Sequence, residues 1–508
     1  MVINLRNRSF IYAIVGAILF IPNIVLSQNF EMANGTPFYN VKNGASAFAD
    51  IDNDGDMDVI LVGNRGESTL PQNQNYTAIL YKNDGAGNFT EVTGTPFIGL
   101  EQVAIAFADV DGDNDQDLMI SGIDYLFDPY TRLYLNDGDG NFNTLSSSPF
   151  VDVYSADIVF ADVDGDEDLD VFISGSTVAF QAISSSKLYI NDGIGGFTEK
   201  ANTPFANTQE ASMDVADFDL DGDLDLLLLG TSEVPEPITE AYLNDGSGNY
   251  TVASQYDFEP LSSGDITFSD IDNDGDEDLL IAGTTDGGLT PYTRLYKNDG
   301  AGNFIEDQSS SLTDLKFVSS IFFDYNNDGL VDLLMSGKSS NDPFIFAAEG
   351  KETILYKNIG NGVFEENENH PIPSLDLGHL AFADVNGDNL KDVFITGTIG
   401  QGENFHSELY LNTTVVSSIY EQASENDNIS IYPNPVMDGV LNLQFNNKTT
   451  HSKKVLVVDM LGRVMKVKNS IIENEVLTLD VSLLDAGTYF LTIVSETSST
   501  TQKFSVFR

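Results

Sequence analysis

The stretch FADIDNDGDMDVILVG, Phe48 to Gly63, places aspartate at every second position from Asp50 through Asp52, Asp54 and Asp56 to Asp58. At about 4 Å and an effective dielectric of about 20, each pair of carboxylates in such a cluster repels by about 4 kcal/mol. Charge that dense calls for a cation or for open solvent, and recurrence decides between them. The stretch occurs in seven copies, whose first aspartates are Asp50, Asp109, Asp162, Asp217, Asp270, Asp324 and Asp384, spaced 53 to 60 residues apart.

A second motif keeps step with the first. LYKNDGAGNF from Leu80 returns in varied form from Leu133, Leu188, Ala241, Leu295 and Leu355. Each unit reads as four short strands. An apolar strand enters the acidic loop, a β-rich run such as DVILVG leaves it, the LYxN strand follows, and an Asn-Asp-Gly stretch suited to a tight hairpin leads to the last strand. Four antiparallel strands in each unit of about 50 residues predict an all-β, seven-bladed propeller, with an open solenoid as the competitor. The chain ends favour the ring. Unit seven stops at LYLNTT, Leu409 to Thr414, while QNFEMANGTPF, Gln28 to Phe38, parallels GNFTEVTGTPF, Gly87 to Phe97. An N-terminal strand is therefore expected to complete the last blade and close the ring.

Counting from the first aspartate, positions 1, 3, 5 and 9 are Asp or Asn in every copy. With the main-chain carbonyl of position 7, they form the candidate ligand sets. These are Asp50, Asp52, Asp54, Asp56 and Asp58 in the first loop, then Asp109, Asp111, Asp113, Asp115 and Asp117 in the second. The third and fourth offer Asp162, Asp164, Asp166, Asp168 and Asp170, and Asp217, Asp219, Asp221, Asp223 and Asp225. The fifth offers Asp270, Asp272, Asp274, Asp276 and Asp278. The last two offer Asp324, Asn326, Asp328, Leu330 and Asp332, and Asp384, Asn386, Asp388, Leu390 and Asp392. All-oxygen sets of this kind suit a hard cation such as Ca²⁺. Position 6 is Gly or Asn except at Glu167, where a strained or different bend is expected. An EF-hand is excluded, because strands flank the loop and Leu61 stands where the bidentate glutamate belongs. With Asn326 and Asn386 at position 3, loops six and seven are expected to bind more weakly.

The unit resembles the FG-GAP or VCBS repeat of integrin-α-like seven-bladed propellers over roughly residues 29–412. That resemblance implies Ca²⁺ in the loop between the first two strands, about one ion per blade, in a structural role.

The rest of the chain sets the context. Residues 28–428 hold 72 acidic and 13 basic residues, a surface that repels nucleic acid and anionic membranes. There is no cysteine, so disulfides and thiolate metal sites are excluded. Residues 1–27 read as a signal peptide: Arg6 and Arg8 precede an apolar run broken by Pro22 and Asn23, with Ser27 before the cut. No other segment could span a membrane. A polar linker, 413–428, precedes 429–508, where alternating apolar runs predict a small β-sandwich. Tyr432-Pro-Asn-Pro435, the DMLGR stretch, the AGTYFLTI strand and the closing basic residues resemble the type A C-terminal sorting domain of the type IX secretion system. This implies contact with that machinery in a Bacteroidetes-type bacterium, with the product released or attached to the outer-membrane surface.

The expected function is a calcium-stabilised binding or adhesion propeller, monomeric, with a glycan or surface protein as ligand. The loops after the second strands carry DPYTRLYLNDG from Asp128 and TPYTRLYKNDG from Thr290, so Tyr130, Arg132, Tyr292 and Arg294 are candidate contacts. Phe127, Phe344, Phe346 and Phe405 add aromatics to these loops. Five residues before each first aspartate stand Ala45, Ala104, Asp157, Ser212, Asp265, Ser319 and His379, a candidate polar ring about a central channel. The alternative is a polysaccharide lyase or glycosidase. It lacks an obvious acid and base, since the paired carboxylates lie in the loops and only His370, His379 and His406 fall in the propeller.

Overall fold

The computed structural model describes residues 29–67, 69–145, 147–340, 350–399 and 404–414. In the C-terminal region it describes 429–436, 439–445, 454–458, 468–473, 476–482, 484, 487–495 and 498–507. The expected leader, most of the linker, Phe344, Phe346 and the DMLGR stretch lie outside these residues. The fold divides into two compact units, one ending at Thr414 and one within 415–508.

The first unit is a set of seven four-stranded antiparallel sheets. Blade 1 runs Lys42–Ala49, Asp58–Asn64, Tyr76–Asn83 and Phe89–Val92. Five more blades repeat that order along the chain. In the seventh, the fourth strand is Phe30–Met32, paired antiparallel with Phe405–Asn412 so that Phe30 faces Asn412.

Second strands are apolar on both faces because each is covered on both sides; Val59 to Val62 are fully buried. Every core cluster of this unit joins residues of two consecutive blades. One unites Ile60 and Val62 of blade 1 with Leu118 and Ile120 of blade 2, and another unites Val59 and Leu61 with Phe394 and Leu409 of blade 7. The sheets therefore follow one another round a full circuit, as in a propeller. The phenylalanines of the Thr-Pro-Phe and Ser-Pro-Phe segments each pack on a third-strand tyrosine. Phe97 packs edge-on to Tyr134 at 5.0 Å, Phe150 to Tyr189 at 5.1 Å and Phe205 to Tyr242 at 5.2 Å. Phe38, from the N-terminal segment, does the same with Tyr81 at 5.0 Å.

Each first strand carries a β-bulge near its start, as between Lys42 and Ala45, with a left-handed residue such as Asn43, φ 46°, inside it. The bulge presses on the glycine that ends the second-strand motif. A Cβ at Gly175 would stand 2.5 Å from Ala156 Cβ. The Asn-Asp-Gly stretch differs from the tight hairpin expected. In blades 1, 2, 5 and 6 the third strand ends at the Asn and the fourth opens on the aromatic, with five residues, Asp84 to Asn88 in blade 1, between; in blades 3 and 4 each strand stops one residue short of this. Asp84 wires that loop itself, accepting from the Ala86 amide at 3.0 Å and from the Asn88 side chain.

The second unit is a β-sandwich. Ile429–Tyr432, Val440–Phe445, Val476–Asp480 and Lys468–Glu473 make one sheet, and Lys454–Val458, Gly487–Ser495 and Ser498–Val506 the other. Leu441, Leu443, Leu479, Leu491 and Phe504 fill the space between. The Tyr-Pro-Asn-Pro entry is pinned to the last strand: Asn434 Nδ2 donates to Lys503 O at 3.1 Å and Asn434 Oδ1 accepts from Ser505 N at 3.0 Å.

Candidate metal centres

The seven acidic loops share one backbone path. Position 6 is left-handed throughout, and Glu167, at φ 73°, bends as its counterparts do. Position 4 is left-handed too, even where it is Leu220, at φ 59°. That turn brings main-chain amides inward. Asp50 accepts from Asp54 N at 3.1 Å and Gly55 N at 2.9 Å, and Asp54 accepts from Asp56 N at 3.0 Å.

In loops one to five the carboxylates of positions 1, 3 and 9 converge, with oxygens within 4.8 Å of one another: Asp50, Asp52 and Asp58 in the first, Asp270, Asp272 and Asp278 in the fifth. The position-5 aspartates are not in these trios. The outer oxygen of position 3 supplies a test of what such a trio could hold. Oδ1 of Asp52, Asp111, Asp164 and Asp272 is buried and has no hydrogen-bond partner. A buried anionic oxygen without a donor is costly, and a cation with oxygen-only coordination removes that cost. The donor set fits Ca²⁺.

Position 9 has a second task. Asp58 Oδ2 accepts from Ile51 N at 3.3 Å and Oδ1 from Asn83 N at 2.7 Å, tying the loop to the third strand. Burial pushes this carboxyl up to about 6 in Asp58 and Asp170, and to about 7 in Asp117, Asp225, Asp278, Asp332 and Asp392, against the pull of those amides. The LYxN asparagine then reaches the preceding blade. Asn83 Nδ2 donates to Val385 O at 2.8 Å, Asn136 to Ile51 O at 2.8 Å and Asn412 to Tyr325 O at 2.7 Å. All seven asparagines make this bond, so each loop is coupled to the next around the ring.

The other sequence-predicted residues are placed as follows. Arg132 lies over the Tyr130 ring at 4.9 Å and pairs with Asp152 at 2.6 Å. Arg294 lies over Tyr292 at 4.3 Å and pairs with Asp314 at 2.8 Å and Glu306 at 3.2 Å. Both guanidiniums are thus engaged within the chain. The ring of first-strand residues forms contacts between blades: Asp157 Oδ2 accepts from Met213 N at 2.7 Å, Ser212 Oγ from Ile266 N at 3.1 Å, Asp265 Oδ2 from Ser320 N at 2.6 Å and Ser319 Oγ from Leu380 N at 3.1 Å. Burial lowers His379 to about 4, and its Nδ1 is buried without a partner. His406 Nδ1 contacts Glu408 Oε1 at 2.6 Å.

Phe127 was expected on the loops after the second strands, but its pairing with Phe180 and a second feature, a buried lysine row, escaped the sequence. Leu126, Phe127, Phe180 and Ile183, on the second-to-third-strand loops of blades 2 and 3, are 59%, 45%, 84% and 44% exposed, and the two phenylalanine rings lie 5.1 Å apart. Both hold left-handed backbone, φ 65° at Phe127 and 60° at Phe180, uncommon for bulky residues. Asp124 fixes the first loop by accepting from Leu126 N at 2.8 Å and Asp128 N at 3.0 Å. The available signal was the absence of any charge from Val171 to Ser186 in so acidic a chain. In blade 6, Lys316, Lys338 and Lys351 stand side by side across three strands, 1%, 0% and 8% exposed. Lys316 donates to Gly288 O and Leu289 O, and Lys351 to Thr398 O.

The FG-GAP-like repeat family model matches residues 50–120 and 270–335, and that of the secretion system C-terminal sorting domain matches 430–506. No curated protein matches the chain. Among solved structures, AofleA from Arthrobotrys oligospora is 10% identical, with 76% of this chain and 92% of that one covered at a TM-score of 0.35. The Aleuria aurantia lectin with α-methyl-L-fucoside is 11% identical, covering 64% and 99% at 0.35. The Hadza microbial sialidase Hz136 is 10% identical, covering 74% and 66% at 0.34. The chain thus carries FG-GAP-like repeats in a seven-bladed propeller and, after it, a type IX secretion sorting domain, the tail of Bacteroidetes proteins that end up secreted or on the cell surface.

Proposed function

We propose that this exported chain is a calcium-stabilised binding propeller that takes neutral glycans on the rim loops of blades 2 and 3. Calcium is supported by the convergent carboxylate trios and their partnerless oxygens. The observation that carries the binding role is the Phe127–Phe180 pair, apolar and open to solvent, with Phe127 on a loop that Asp124 wires in place. An exposed aromatic offers the apolar face of a sugar ring a stacking surface, and Asp128 beside it can accept from hydroxyls. Anionic glycans fit poorly, because the domain is strongly acidic and Arg132 and Arg294 already hold carboxylates.

The test uses the mature chain in calcium against a panel of neutral polysaccharides, including mannan, xylan and laminarin, measuring retention and new reducing ends. Retention without cleavage is expected, and Phe180→Ala should weaken it at least tenfold. Equal retention by wild type and Phe180→Ala, or none by either, would remove this site. New reducing ends above a calcium-free control would instead make the propeller a carbohydrate-cleaving enzyme.

A further inference from the structure

The acidic loops are not seven versions of one site. Just before the asparagine of the third strand, blades 2, 3 and 4 carry Leu135, Ile190 and Leu243, whereas blades 1, 5 and 6 carry Lys82, Lys297 and Lys357. Each of these lysines turns into the loop of its own blade. Lys82 meets Asp52 and lies 3.7 Å from Asp54 Oδ2, Lys297 lies 3.3 Å from Asp272 Oδ2, and Lys357 lies 3.1 Å from Asp328 Oδ2.

What the lysine finds there differs. In blades 1 and 5 it touches one oxygen of position 3, and the other, Oδ1 of Asp52 and of Asp272, stays buried and partnerless. The lysine leaves that oxygen of the trio unsatisfied. In blade 6 the loop is satisfied from within. Position 3 is Asn326, whose Nδ2 donates to Asp332 Oδ2 at 2.9 Å, where loops one to five face a carboxylate with a carboxylate. Asp332 Oδ1 accepts from Asn358 N at 2.8 Å. Asp324 takes the amides of Asp328 and Gly329 at 3.1 and 2.8 Å. Asp328 takes the Leu330 amide at 3.1 Å on Oδ1 and Lys357 on Oδ2. Among the described residues, this loop has no buried oxygen without a partner and no convergent acidic trio.

We infer that the blade 6 loop takes no divalent ion, and that the Lys357 ammonium and the Asn326 amide hold it in the ion's place. The blade 6 loop is then fixed without metal, next to the blade that the N-terminal strand joins. This rests on the calcium reading of loops one to five.

The experiment counts calcium ions bound per full mature chain by native mass spectrometry, after chelator stripping and reloading. Asn326→Asp combined with Lys357→Met should bind one ion more than wild type, and Asp328→Asn alone should leave the wild-type count unchanged. A count one lower in Asp328→Asn, or no gain in a folded double variant, would overturn the inference and leave the other loops untouched. If the double variant fails to fold, the Asp328→Asn count decides. A wild type that binds no calcium at all would overturn the calcium reading itself, and this inference with it.

Discussion

Single residues here do more than one thing, and that limits what alternation along the sequence can reveal. Position 9 of each loop was legible as a ligand, but Asp58 is also the acceptor that joins the loop to the third strand, and nothing in the spacing says so. Leu220 takes the left-handed turn at position 4 although leucine gives no hint of it, because the amides gathered by position 1 fix the backbone whatever side chain stands there. The first-strand ring was visible as a polar series, yet its work is between blades. Burial raises Asp157 to about 7 and Asp265 to about 6, from an ordinary 3.8. The sign follows directly: the folded state keeps protons that the unfolded chain releases, so these groups favour folding below about pH 4 and lose that contribution as pH rises through about 6 to 7. In saturating calcium, wild-type stability should therefore fall between about pH 4 and 7, and Asp157→Asn should flatten the decline. Parallel pH profiles of denaturant midpoint for the two proteins would refute this.

At the level of elements, strand order was readable because the apolar runs and acidic loops repeat together, and the seven sheets follow them. The Asn-Asp-Gly stretch was read too tightly. Its composition suits a short turn, but an aspartate that collects amides two and four residues on stabilises a five-residue loop instead. The bulges were not legible at all, since they arise where the first strand shifts register against the second, and only the glycine ending the motif betrays them. That glycine makes a sharp prediction. Gly175→Ala would push a methyl group to 2.5 Å from Ala156 Cβ and 3.0 Å from Tyr154 O. Overpacking of this kind typically costs about 1–3 kcal/mol. The urea midpoint should drop accordingly at an unchanged slope, and a midpoint equal to that of wild type would show that the bulge gives way freely.

For the whole molecule, the central fact is a ring without disulfides whose sheets touch through apolar cores and through seven asparagines, each anchored on a loop full of carboxylates. Ring order and the acid loops could be read from sequence; the coupling between neighbouring loops could not, because Asn83 and Val385 lie 302 residues apart in the chain. Under the calcium reading, that coupling makes metal binding a property of the circuit. A site filled at a hundred times its dissociation constant contributes about 2.7 kcal/mol, so five convergent trios filled to that degree would together supply roughly 13 kcal/mol. The net stability of a folded domain is about 5–15 kcal/mol. Removing the ions should therefore destabilise the propeller severely, most of all through the loops of blades 2, 3 and 4, which have no lysine before the third-strand asparagine. Far-UV circular dichroism of the mature chain should show a cooperative melt in calcium that shifts far downward, or is lost at room temperature, in excess EDTA, and that returns when calcium is restored. Superimposable melts with and without chelator would mean that the carboxylate trios stabilise the ring without an ion, and the buried oxygens of Asp52, Asp111, Asp164 and Asp272 would then need another source of positive charge.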